Sequence, residues 1–218
     1  MTDAQGPALS HDGVPWPKVS PAEVLPTGQV AGRYEIVKNG ARSEAPFTLT
    51  RSEPGVWMLK VEGHQTARWE VDGDGALRLR WQTSVDQGVR VAYEPALVLL
   101  PPKGTGVSRT QAEMTVYHLD SGEKKTAGRC DYVVSPGEPG AFEPAVDRGV
   151  AVYASSVRRI DVPLADATVA AEVAYAAGRG PIATDLHRTL RPLGLFASTT
   201  ETTFRLLERA TTREPNTP

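Results

Sequence analysis

The sequence predicts an all-β protein: a strongly curved antiparallel meander sheet or half-barrel with one or two short helices. Two observations carry that expectation. Four successive segments place apolar residues at every second position: Trp57, Leu59 and Val61; Trp69 and Val71; Leu77, Leu79 and Trp81; Val89, Val91 and Tyr93. Side chains alternate faces along a strand, so a period of two describes a sheet that is apolar on one side and polar on the other. The joints between the segments are Glu62-Gly63-His64, Asp72-Gly73-Asp74-Gly75 and Asp86-Gln87-Gly88. Such short glycine-bearing turns connect antiparallel neighbours.

Further strands are expected on either side of this meander. Residues 30–37 form the first and end at Asn39-Gly40, a strong two-residue hairpin signal. Residues 46–51 form the second and turn at Glu53-Pro54-Gly55. After the meander, residues 96–102 are continuously apolar and end in two prolines, which fits a buried crossing segment, and residues 103–109 read as a loop. Residues 111–119 and 125–134 flank Asp120-Ser121-Gly122-Glu123, another hairpin candidate, and residues 136–140 break the chain with two prolines and two glycines. Residues 146–160 alternate in part. Residues 168–175 fit a strand by valine spacing and a short helix by alanine content. Gly178-Arg179-Gly180-Pro181 ends that element, and residues 182–190 and 196–207 close the domain.

This gives three regions: a proline-rich extended arm over 1–26, a single antiparallel β-domain over 27–210 and a frayed tail over 211–218. The arm has prolines at 7, 15, 17, 21 and 26, and its Val14, Trp16 and Val24-Leu25 could pack on the domain or on a neighbour. It has neither the basic start nor the apolar stretch of a secretory signal, so the chain as given is expected in the cytoplasm, and in the periplasm only as a processed form. No apolar run approaches the roughly 20 residues of a membrane-crossing helix.

Composition excludes some partners. The 218 residues hold 24 Lys+Arg against 26 Asp+Glu, a formal net charge of −2. No global positive field is available to collect nucleic acid or an anionic membrane surface. Arg68, Arg78, Arg80 and Arg90 are isolated members of strands, the pattern of a solvated sheet face.

Residues able to carry chemistry are scattered. The single cysteine, Cys130, excludes an intrachain disulfide, and its place in the alternation with Tyr132 and Val134 suits packing better than nucleophilic catalysis. His11, His64, His118 and His187 form no closely spaced metal-binding pair. The stretch 72–75 lacks the distal glutamate of a calcium loop, and the glycine-rich stretch 103–108 lacks the Gly-Lys-Ser/Thr ending of a phosphate-binding loop. No Gly-x-Ser-x-Gly elbow occurs. No catalytic residue, metal ligand or cofactor is therefore assigned, and an enzyme would need polar groups converging in a way that sequence does not display.

The remaining candidate is aromatic. With short hairpins in register, Trp57, Trp69 and Trp81 share one face with Tyr93 beside them. Such a face is a packed core under a covering element, or a concave wall that accepts an apolar ligand.

Three stretches stand in order along the chain: Tyr93-Glu94-Pro95-Ala96-Leu97 with Leu100-Pro101, the Pro-Gly-Glu-Pro-Gly-Ala-Phe run of 136–142, and the Tyr-Ala-Ala-Gly-Arg-Gly-Pro-Ile run of 175–182. Their order resembles that of short motifs in bacterial lipoprotein-like β-proteins of the lipoprotein-localisation-factor or DUF3108-like kind. The resemblance implies a wide, half-closed antiparallel sheet around an apolar cavity. Together these readings predict a non-catalytic binding protein whose concave apolar face, with Trp57, Trp69, Trp81 and Tyr93, holds a lipid-like or other hydrophobic small molecule. The alternative is a structural or adaptor subunit that docks on another protein, or on itself, through the N-terminal arm and its sheet edges.

Overall fold

The computed structural model describes residues 20–102, 106–137, 150–160, 165–192, 197–207 and 211–213. Among the described residues, one four-residue helix, α1 (Pro21–Val24), precedes thirteen strands. The first half contains β1 (Gln29–Lys38), β2 (Ala41–Glu53), β3 (Val56–Val61), β4 (Gln65–Val71), β5 (Leu77–Ser84) and β6 (Val89–Leu100). The second contains β7 (Ser108–His118), β8 (Lys124–Pro136), β9 (Val150–Ile160), β10 (Ala165–Ala176), β11 (Gly180–Pro192), β12 (Ser198–Leu206) and β13 (Thr211–Arg213).

The strands from β1 to β12 pair antiparallel in chain order, as the alternation and turn chemistry predict. The curl of the sheet then runs on until its ends meet. Tyr34–Lys38 of β1 pair antiparallel with residues 202–206 of β12, and Gln29–Ala31 pair with β13. A meander whose last strand returns to its first leaves no long unpaired edge between them, which removes the usual liability of an open sheet. Residues 211–213, expected in a frayed tail, thus belong to the sheet.

Local chemistry explains the turns. Asn39 (φ 49°) and Gly40 (φ 83°) both adopt the left-handed conformation needed by the tight β1–β2 turn. The apolar residues 96–100 continue β6, and 168–175 lie within β10, where the alternation prevails over the helix preference of alanine.

The inner face is fixed by register. Tyr34 and Ile36 of β1 lie opposite Leu206 and Phe204 of β12, and Val30 and Gly32 lie opposite Leu49 and Phe47 of β2. A continuous apolar core follows this face from Phe47 and Leu49 through Leu59, Leu77 and Leu97 to Met114, Cys130 and Val134. Gly32 leaves room for an aromatic ring: a Cβ there would lie 2.8 Å from the edge of Phe47. Phe47 in turn stacks on Tyr34, with ring centroids 4.4 Å apart.

One end of the ring is covered by residues 20–26, the C-terminal part of the expected arm. Ser20 and Glu23 cap α1 reciprocally: the Ser20 amide donates to Glu23 Oε2 (2.6 Å) and the Glu23 amide to Ser20 Oγ (3.3 Å). Val24 and Leu25 are buried in the core. The Gly178 amide in the β10–β11 turn donates to the Glu23 carbonyl (2.7 Å), and Trp57 Nε1 of β3 donates to the Pro26 carbonyl (3.2 Å). This strap therefore ties β3 to the β10–β11 turn. Val14 and Trp16 lie outside the described residues.

Tyr34 holds the same end. Its buried hydroxyl donates to the carbonyl of Pro181 in β11, and burial pushes its pKa well above the ordinary tyrosine value. Tyr34→Phe is expected to destabilise the fold by about 1–3 kcal/mol, because it leaves a buried carbonyl without its donor. The raised pKa adds a sign to the pH dependence. The folded chain holds this proton more tightly than the unfolded chain, so the stabilisation is complete below about pH 10 and falls as the pH rises beyond it. Urea unfolding followed from pH 8 to pH 11 checks both points: Tyr34→Phe should start less stable and lose less stability on the alkaline side.

Candidate functional site

The aromatic face predicted from the sequence is only partly assembled. Trp57 and Trp69 are direct cross-strand partners on β3 and β4 and point inward. Tyr93 also points inward, with its hydroxyl 3.4 Å from Gln82 Nε2. All three belong to the chain's own core, with Trp57 9 %, Trp69 4 % and Tyr93 6 % exposed. Arg51 lies over the Trp57 ring, 5.5 Å from its centroid, while the indole N–H is taken by the strap.

Trp81 does not join them, and this corrects the expectation of a shared face. The register between β4 and β5 shifts so that Trp69 pairs with Leu79 while Arg68 pairs with Trp81, leaving Arg80 as an extra residue on β5. On its other side Trp81 pairs with Ala92, whose neighbour Tyr93 is the inward residue. The bulge re-aims the strand. Trp81 consequently lies on the outer face, beside a row of ion pairs. There Arg80 bridges Glu70 (3.2 Å) and Glu94 (2.6 Å), and Arg68 also meets Glu70 (2.9 Å).

Other sequence candidates are structural. Cys130 is buried, and desolvation, outweighing the hydrogen bond from the Ala112 backbone, pushes its thiol up and away from a reactive thiolate. His187 on the outer face approaches Glu201 (3.5 Å), and His64 in the β3–β4 turn meets the edge of Phe204 at 6.5 Å.

The surface that sequence reasoning missed is the inner wall of β10, β11 and β12. Register aligns Val173, Thr184 and Phe204 across the three strands, then Ala171, Leu186 and Thr202, then Val169, Arg188 and Thr200. Phe204 and Thr202 pair in turn with Ile36 and Lys38, so these rows face the inside of the ring. Where Phe47, Leu49, Leu59 and Met114 of the inner face are buried, the side chains of these three rows all keep partial exposure. Val173, Phe204 and Leu206 also pack against the buried core, so it is their remaining surface, together with that of Val169 and Leu186, that stays open to solvent. The wall is apolar toward the strap, through Val173, Phe204 and Leu206, and becomes polar toward the opposite end.

That opposite rim carries a charge cluster. Lys38 Nζ donates to Asp86 Oδ2 (2.5 Å) from β1 to the β5–β6 turn, and Ser84 Oγ donates to Asp86 Oδ1 (2.6 Å). Partial burial opposes ionisation of Asp86. The hydrogen bonds from Lys38 and Ser84, and the charges of Lys38 and Arg188, outweigh it and hold the carboxyl below its ordinary range. Desolvation lowers the pKa of Arg188, and the charge of Asp86 opposes that effect. Neighbouring turns are tied together at this end: the Val85 amide donates to the His64 carbonyl (2.9 Å) and the Leu119 amide to the Gly88 carbonyl (2.8 Å).

Comparison with known proteins gives no match to any family model, to any curated protein or to any solved structure.

Proposed function

We propose that this chain is a non-catalytic binding protein that takes a lipid-like or other hydrophobic molecule against the inner wall of β10–β12. The observation that carries this reading is the partial exposure of inward-facing Val169, Val173, Leu186, Phe204 and Leu206, where Phe47, Leu49, Leu59 and Met114 of the same inner face are buried. Partly exposed apolar groups gain free energy when a ligand covers them, at roughly 25 cal/mol per Å² of surface removed from water. This site is not the aromatic one expected from the sequence: Trp57, Trp69 and Tyr93 belong to the packed core, and Trp81 is on the outer face. The adaptor alternative rests on the N-terminal arm, of which residues 1–19 lie outside the described residues, and on sheet edges, which the pairing of β1 with β12 and β13 occupies where the meander begins and ends.

Titration with the neutral dye Nile red, followed by displacement with oleyl alcohol, tests the proposal. Dye fluorescence should rise on binding and fall on displacement. Leu186→Glu, which places a charge on the wall, should weaken dye binding by roughly tenfold or more if about 1.5–3 kcal/mol of apolar contact is lost. An unchanged dye spectrum with the wild-type protein, or equal binding by a folded Leu186→Glu variant, would remove the proposal.

A further inference from the structure

We infer that the ligand is an amphiphile with an anionic head, such as a long-chain carboxylate, whose head is received by Arg188 and Lys38 while its tail runs along the β10–β12 wall toward the strap. This inference rests on the binding reading above and adds the chemistry of the ligand to it. Three observations support it. Arg188 occupies the inner face of β11, opposite Thr200 of β12 and Val169 of β10. It is partly buried there, a costly place for a guanidinium unless an anion answers it. The carboxylate whose charge reaches it, Asp86, also accepts from Lys38 at one oxygen and from Ser84 at the other. Among the described residues, Arg188 and Lys38 thus share the carboxylate of Asp86, beside the hydroxyl-bearing Thr200 and Thr202.

The direction of the wall fits the same ligand. β11 runs from Gly180, beside the strap, to its far end beyond Arg188, and β1 runs the same way from Gln29 to Lys38. The cations are thus at the end away from the buried Val24 and Leu25. An amphiphile entering at that end would meet polar groups with its head and Leu186, Val173 and Phe204 with its tail. A guanidinium also matches a carboxylate in shape, offering two parallel donors to its two oxygens.

The test compares sodium oleate with oleyl alcohol, which share a tail and differ in the head, as competitors for bound Nile red. The wild-type protein should favour oleate by about tenfold or more, the usual scale of a charge-assisted hydrogen bond. Arg188→Gln should remove most of that preference by weakening oleate far more than oleyl alcohol, and Arg188→Lys should restore part of it. Lys38→Gln, on a different strand of the same rim, should also reduce the preference and serves if Arg188→Gln does not fold. Equal competition by the two lipids in the wild type, or a preference retained by folded Arg188→Gln and Lys38→Gln, would overturn the anionic head and leave the binding reading standing. Displacement by neither lipid would overturn both.

Discussion

Replacing Phe47 by alanine should destabilise the protein by about 3–5 kcal/mol, the range for removing a buried aromatic side chain from a packed core. Phe47 is 1 % exposed. It fills the space above Gly32, stacks on Tyr34 and shares the inner face with Leu206, whose Cδ1 would lie 3.4 Å from a Cβ at Gly32. It therefore packs β1 and β2 at the place where β12 joins them. Truncation would leave a cavity at that seam, and the rigid sheet around it can collapse only partly. Equilibrium unfolding in urea gives the magnitude. Phe47→Leu should lose much less, because it retains most of the buried volume, and a similar loss for both variants would contradict the packing argument.

Gly180→Ala is expected to be the second most disruptive change, for two separable reasons. Gly180 has φ +76°, in the left-handed region that costs a residue with a Cβ about 1–2 kcal/mol. A Cβ at this position would also lie 2.6 Å from Cδ2 of Leu49. Leu49 is fully buried, so its side chain has little room to withdraw. Backbone strain and overpacking together place the expected loss at roughly 2–4 kcal/mol. A double-mutant cycle separates them. Adding Leu49→Ala should relieve the steric part and leave the backbone part, so the two substitutions should cost less together than the sum of their separate effects. Strict additivity would show that the close approach of β11 to β2 is not as described.

The strands and most of their turns were legible because alternation and turn chemistry are local signals. Val169, Val173 and Tyr175 have the spacing of a strand, and Asn39-Gly40 closes its hairpin by backbone conformation alone. The shared aromatic face failed at one residue. Leu77-Arg78-Leu79-Arg80-Trp81 alternates without interruption in sequence, yet a bulge at Arg80 puts Trp81 on the outer side. A bulge is set by how two strands pair, and the composition of one strand does not reveal it. Ring closure was equally hidden, since pairing between Tyr34 and Leu206 joins residues at opposite ends of the domain. The candidate site was missed for a related reason. Threonines and an arginine along β11 and β12 look like a solvated face, and only their register with Tyr34, Ile36 and Lys38 turns them inward.

Differential hydrogen exchange of the intact protein, with and without sodium oleate below its micellar concentration, most directly tests whether the inner wall of β10–β12 is where ligand binds. Exchange is expected to slow on adding oleate in peptides covering residues 184–190 and 200–206, with residues 57–61 and 65–71 unchanged. Protection confined to the Trp57 and Trp69 strands, or exchange identical in both samples, would contradict it.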